Sequence, residues 1–146
     1  MGKLLSELDL AIQTKAKNAI KLMQESLTLK VLGVEDIQIN EARRALSVQM
    51  AYYSRSRMSV KDVQAMYRAA GLYNIGEEEA KRANTQTLES KHIKGLAVDI
   101  VPIKGGKIWW NAPKEVWDEM GKIGKSCGLK WGGDWKGFSD TPHFEV

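Results

Sequence analysis

Both histidines of this chain, His92 and His143, lie in short segments that also carry aspartates, and the two segments are far apart in sequence. The first reads Ser90-Lys91-His92-Ile93-Lys94-Gly95-Leu96-Ala97-Val98-Asp99, the second Asp140-Thr141-Pro142-His143-Phe144-Glu145. Used together, they oblige the fold to bring both segments into one cleft. His92, Asp99 and His143 then form an N/O ligand set with one open position. A catalytic zinc requires that arrangement, because the fourth position must hold the reactive water. A lone histidine is more often a core or surface residue than a ligand. Two histidines with none to spare, each accompanied by an aspartate, favour a metal site.

Local geometry is compatible with this. An odd separation on one uninterrupted strand would send His92 and Asp99 to opposite faces. Gly95 lets the chain bend between them, so that His92 sits on a loop and Asp99 on the following strand. Pro142 keeps Asp140 and His143 out of a regular helix, and a turn there can aim both side chains into the cleft. Two histidines and a carboxylate also describe the iron oxygenase triad. Those enzymes usually need a jelly roll of many strands, which a half-helical chain does not supply.

Ser-x-His-x6-Asp, with glycine three residues after the histidine and alanine two before the aspartate, is followed much later by Asp-x-x-His. With these motifs the chain resembles the zinc peptidases of the D-Ala–D-Ala carboxypeptidase class. That class also contains the vancomycin-resistance dipeptidases and the L-alanyl-D-glutamate endopeptidases of bacteriophages and bacilli. The run Leu129-Lys130-Trp131-Gly132-Gly133-Asp134-Trp135 is similar to the endopeptidase branch. Ile39-Asn40-Glu41-Ala42-Arg43-Arg44 resembles that branch's Thr-Glu-x-x-Arg segment, with asparagine replacing threonine. The resemblance runs from about Leu4 to the last residue and implies a zinc cofactor. It also implies that Asp140 is the catalytic carboxylate rather than a ligand and that Arg44 stabilises the oxyanion, with Arg43 as the neighbouring alternative. Ser90 would contact substrate or support the ligands. Glu145, two residues beyond His143 on a strand, would orient that imidazole. Trp131 and Trp135 would contact substrate or pack in the core, and Asp134 would shape the cleft floor.

A chain of 146 residues suits one domain, burying roughly 68–70% of its unfolded surface. We expect residues 1–146 to form a single peptidase domain without a separate wall-binding module. No apolar run is long enough to span a membrane. Charges at Glu7, Asp9, Lys15 and Lys17 interrupt any signal-peptide core. The start Met1-Gly2-Lys3-Leu4-Leu5-Ser6 matches a myristoylation pattern, which the bacterial or viral resemblance discounts. One cysteine, Cys127, excludes an intramolecular disulfide. The net charge of +4 is modest, and its densest part, Arg43, Arg44, Arg55, Arg57 and Lys61, suits a solvated face as well as a polyanion.

Periodicity predicts α+β architecture. Leu8, Ile12, Ala16, Ala19, Ile20, Met23 and Leu27 recur as one amphipathic helix ending at Gly33. Ile37 and Ile39 mark a strand, and Ser59 caps a helix through Ala70. A short helix is expected over 77–83, then a loop to Ser90. Leu96–Ile103 and Ile108–Trp110 form a hairpin, Pro113 opens a helix ended by Gly128, and Phe144–Val146 closes the chain as a strand.

The expected function is a zinc peptidoglycan endopeptidase of the endolysin type, cutting stem peptides between L-alanine and D-glutamate. It would be a monomer, made in the host cytoplasm and reaching the wall after membrane permeabilisation, with neither nucleic-acid binding nor membrane insertion. The alternatives are a D,D- or L,D-carboxypeptidase, with Arg43, Arg55 or Arg57 receiving a free carboxylate, and a non-catalytic envelope- or nucleic-acid-binding protein with a structural metal. A structural zinc normally has four protein ligands, and only three are nominated.

Overall fold

The structure, a computed structural model, describes residues 4–85 and 90–146. The start of the myristoylation-like pattern (1–3) and the end of the loop before Ser90 (86–89) lie outside the described residues.

The expected single N-terminal helix is three pieces: a 3-10 turn at Leu5–Glu7, α1 at Leu10–Glu25 and α2 at Leu27–Val31. Hydroxyl and carboxylate side chains compete with the helical backbone and cause the breaks. The Asp9 carboxylate accepts from the Ala11 N–H at 2.9 Å and starts α1. Ser26, in extended conformation, ends α1, and its hydroxyl accepts from the Leu29 N–H at 3.2 Å to start α2. The buried stripe of α1 is therefore Ile12, Ala16, Ala19 and Met23, while Leu27 falls after the break and is exposed.

The sheet contains β1 (Asp36–Glu41), β2 (Ala97–Lys104), β3 (Lys107–Ile108), β4 (Lys130–Trp131) and β5 (His143–Glu145). The order is β1-β2-β5-β4, with β3 also paired to β2 and every pairing antiparallel. The hairpin partner β3 is shorter than expected, although the Trp109 N–H still reaches Pro102 O at 2.8 Å. One face of the sheet is covered by α1 and by α6 (Lys114–Ser126). Pro113 stands just before α6 in extended geometry rather than inside its first turn. Ile100, Val101, Val116, Met120 and Phe144 fill this core; each such side chain contributes about 1.5–3 kcal/mol by leaving water. Gly121 and Gly124 of α6 let the helix lie directly on the rings of Trp131 and Phe144, which a Cβ at either position would strike.

A second, smaller core holds α3 (Leu46–Ser54), α4 (Val60–Ala69) and α5 (Glu77–Ala80) together through Ala51, Val63, Tyr67, Ile75 and Ala80. α4 begins as expected, with the Ser59 hydroxyl accepting from the Asp62 N–H at 3.2 Å. α5 ends at Ala80, earlier than 83. α3 has no counterpart in the sequence reading: no side chain caps it, and its apolar residues form no stripe. The α+β class stands. A strand from the helical first half, β1, forms an edge of the sheet.

Candidate metal centre

Antiparallel register builds most of the site. Asp99 of β2 is paired on one side with His143 of β5 and on the other with Glu41 of β1. These three residues form a row across the sheet. His92 joins them from the turn before β2, where Gly95 takes a positive φ of 70°. A Cβ on Gly95 would press on the Asp9 N at 3.1 Å and the Glu7 O at 3.3 Å, so glycine is what lets this turn rest on the start of α1.

Three donor atoms converge. His92 Nε2 and His143 Nδ1 are 3.2 Å apart, and each faces Asp99 Oδ1, at 3.3 and 3.6 Å. Three ligands of one tetrahedral zinc, at about 2.0–2.1 Å from the ion, stand roughly 3.3–3.4 Å from one another. The observed triangle has that size. The outer nitrogens explain the orientation: His143 Nε2 meets Glu145 Oε1 at 2.8 Å and His92 Nδ1 meets Ala42 O at 3.4 Å. With protons on those outer nitrogens, both inner nitrogens would present lone pairs to a metal. Asp99 Oδ1 is buried and receives no formed hydrogen bond. Two lone pairs and an unsatisfied carboxylate oxygen repel one another unless a cation sits between them. The three residues fit a zinc ion. Burial alone would push the Asp99 carboxyl up, but the close imidazoles of His143 and His92 hold it well below the usual carboxylate range.

Asp140 is in the same cleft, with Oδ2 3.9 Å from His143 Nδ1. Burial first, and then the Asp99 charge, push its carboxyl up, the direction that suits a general base. Its backbone packs on Gly132: the Asp140 N–H donates to Gly132 O at 2.9 Å, and a Cβ on Gly132 would collide with the Asp140 carbonyl. Burial tends to lower the basicity of His143, but the neighbouring carboxylates of Asp99 and Glu145 more than offset this and raise it. Burial works against ionised Glu145, whose carboxyl is nonetheless lowered by Lys91, at 2.6 Å, and by His143.

The cleft encloses about 490 Å³. Arg44, Ser90, Trp135 and Glu145 line it together with the ligands and Asp140. Arg44 is ion-paired with Glu41, donates to Gln49 Oε1 at 2.6 Å and lies 5.0 Å from the centre of the Tyr52 ring. Arg43 is exposed and does not line the cleft. The Ser90 hydroxyl accepts from the His92 N–H at 3.2 Å. Trp135 lies 4.8 Å from the His143 ring, centre to centre.

Several expected contacts are absent from the cleft lining. Trp131 is buried under the sheet with its indole N–H donating to Thr141 O at 2.7 Å, so it supports the Asp140–His143 turn from behind. Asp134 pairs with Lys125 of α6 at 3.0 Å instead of forming the floor. Arg55 and Arg57 are tied to carbonyls of Glu79, Arg82, Tyr53 and Thr85. The sequence reading missed Phe138, an exposed aromatic at the cleft lip, and Lys91, whose ammonium holds Glu145 and Val146 O. Lys91 lies beside a ligand, which was a usable signal; Phe138 had none.

Comparison with known proteins gives the same picture. Residues 83–146 match the peptidase M15 model described as D-alanyl-D-alanine carboxypeptidase. The chain is 40% identical over 75 residues to the L-alanyl-D-glutamate peptidase of Listeria phage A118, covering 47% of this chain and 26% of that protein. It is 42% identical over 87 residues to the peptidoglycan L-alanyl-D-glutamate endopeptidase CwlK of Bacillus subtilis, covering 51% of each. The matched part thus spans between a quarter and about half of the length of these relatives. The fold is that of the Serratia marcescens L-Ala D-Glu endopeptidase ChiX, with a TM-score of 0.59 at 22% identity, covering 97% of this chain and 82% of that one. Residues 83–146, the part similar to the D-alanyl-D-alanine carboxypeptidase family model, carry His92, Asp99, Asp140 and His143.

Proposed function

We propose that the protein is a zinc-dependent peptidoglycan endopeptidase cutting the L-alanyl-D-glutamate bond of stem peptides, acting in host lysis as an endolysin. The observation that carries this reading is the triangle of His92 Nε2, Asp99 Oδ1 and His143 Nδ1, sized for one ion, with Asp140 in the same cleft. Both curated relatives described above are named for the L-alanyl-D-glutamate activity.

His92, Asp99 and His143 would hold the zinc, which when bound polarises the scissile carbonyl and brings a water's pKa to about 7. Asp140 takes a proton from the attacking water and returns it to the leaving amine. Arg44 presents its guanidinium to the carbonyl oxygen as negative charge develops there. Glu145 and the Ala42 carbonyl keep the imidazoles turned toward the ligand triangle. Trp135 and Phe138 cover the cleft mouth and contact the peptide.

An endopeptidase is favoured over a carboxypeptidase because, of the cations lining the cleft among the described residues, Arg44 is assigned to the reacting carbonyl and Lys91 is engaged, which leaves none for a substrate's free carboxylate. Arg44 is held by Glu41 and Gln49, and Lys91 by Glu145 and Val146 O. No helix of the described residues is long and apolar enough to cross a membrane, and we propose action on the wall as a monomer after another protein has opened the membrane. Digestion of purified peptidoglycan, with new termini identified by mass spectrometry, tests the specificity. New amino groups on D-glutamate with intact glycan are expected. Release of terminal D-alanine alone would move the assignment to a carboxypeptidase, and shortened glycan would reject a peptidase.

A further inference from the structure

Glu41 does not line the cleft, yet one of its oxygens touches both halves of the cleft's machinery. Oε1 accepts from Arg44 Nε at 2.9 Å and also from Arg44 Nη2, and the same atom lies 3.7 Å from His92 Nδ1, the outer nitrogen of a ligand imidazole. The residue is buried, at 4% exposure. A carboxylate so placed is strongly destabilising unless paired.

A β-bulge brings it there. The register passes from Ile39 opposite Ile100 to Glu41 opposite Asp99, so two positions on β1 answer one on β2. In a regular ladder Asn40 would face Asp99. Glu41 would then stand opposite Val98, a fully buried core residue. The extra residue moves the carboxylate out of the core row and into the row of Asp99 and His143.

We propose that Glu41 is a positioning residue that sets the ligand imidazole of His92 and the guanidinium of Arg44 jointly, through a single oxygen. The inference rests on the zinc-peptidase reading of the cleft. The two consequences differ in kind. Negative charge beside the outer nitrogen strengthens an imidazole as a ligand, which affects metal binding in the resting protein. A fixed guanidinium matters only when charge develops in the transition state, which affects turnover more than substrate binding.

Glu41→Gln keeps the shape and removes the charge. Zinc affinity, measured by chelator competition, should fall about 10–100-fold, the usual scale for partners of metal-ligating histidines. On peptidoglycan fragments, kcat should fall with KM changed much less. Adding Arg44→Ala to Glu41→Gln should cost less kcat than Arg44→Ala costs in the parental protein, because the two residues act as one unit. Parental zinc affinity, parental kcat or full additivity would each overturn the joint role. Thermal melting of the metal-free proteins verifies folding. Should Glu41→Gln fail to fold, Glu41→Asp retains the charge but withdraws it by one methylene, and must lower both zinc affinity and kcat; parental values in both overturn the proposal. If the parental protein binds zinc but leaves peptidoglycan intact, the peptidase reading fails on its own. The zinc comparison then decides for Glu41, a fall supporting it and an unchanged affinity overturning it.

Discussion

On the sheet side of the cleft, His92, Asp99 and His143 turn three acceptor atoms on one another, and Asp99 Oδ1 is buried without a formed hydrogen bond. On the helical side, Arg44 is held by Glu41, Gln49 and the Tyr52 ring. The first arrangement is one that a bound cation would complete; the second is formed by protein groups alone. The two sides also differ in kinship. The matched family segment, 83–146, contains the first side and stops short of the second. The three residues that fit an ion are held by register within a sheet and the turn before it, whereas Arg44, the cation we propose for transition-state charge, is held by a local side-chain network.

If that contrast is sound, the two sides should fail differently. The largest effect belongs to the ligands: His92→Ala or His143→Ala should abolish both stoichiometric zinc, expected at one per chain, and wall hydrolysis. Elemental analysis of the purified variants checks it, and full zinc occupancy in the double variant would disprove the site. Asp140→Asn should keep its zinc and lose about 10²–10⁴-fold in rate, since the amide cannot accept the water's proton. Arg44→Ala should likewise keep zinc and lose about 10²–10³-fold in kcat. Metal loss in that variant would show the two sides to be one unit at the level of binding. Glu145→Gln leaves His143 with a weaker acceptor and should reduce zinc affinity by about tenfold, the low end for such partners, as read by chelator competition. Asp134→Asn, at an exposed ion pair with Lys125, should change stability by less than about 0.5 kcal/mol and leave zinc and activity intact.

The same contrast explains what could be read from the chain. His92, Asp99, Asp140 and His143 declare themselves because their spacing, with Gly95 and Pro142 between them, carries both chemistry and geometry. The caps at Ser59 and Gly33 were legible because each acts within one turn. The helical side was harder. α3 has neither a capping side chain nor an apolar stripe, since its buried residues include Gln49 and Ser54, so no period marks it. The bulge at Asn40 is a property of a strand pair and cannot be seen in one strand. The break at Ser26 is hidden because a serine inside an apolar rhythm looks like a tolerated helix residue, whereas its hydroxyl caps the next helix. Trp131 takes the core alternative and Asp134 pairs with Lys125 for a related reason. The Gly132-Gly133 turn between them decides which side chain faces the cleft, and neither one does.

The two glycines of α6 have a consequence for how this protein can change. Gly124 leaves room for the Phe144 ring, and Phe144 is the immediate neighbour of His143, pointing to the opposite face of β5. A methyl group at Gly124 would have to displace the ring, and with it the strand that carries His143. The tolerance of the cleft is therefore set partly from the back of the sheet, at positions no substrate ever meets. Variants selected for new specificity are free to remodel the lip around Trp135 and Phe138, while the rear of the sheet behaves as a fixed datum plane from which the position of the imidazole is measured.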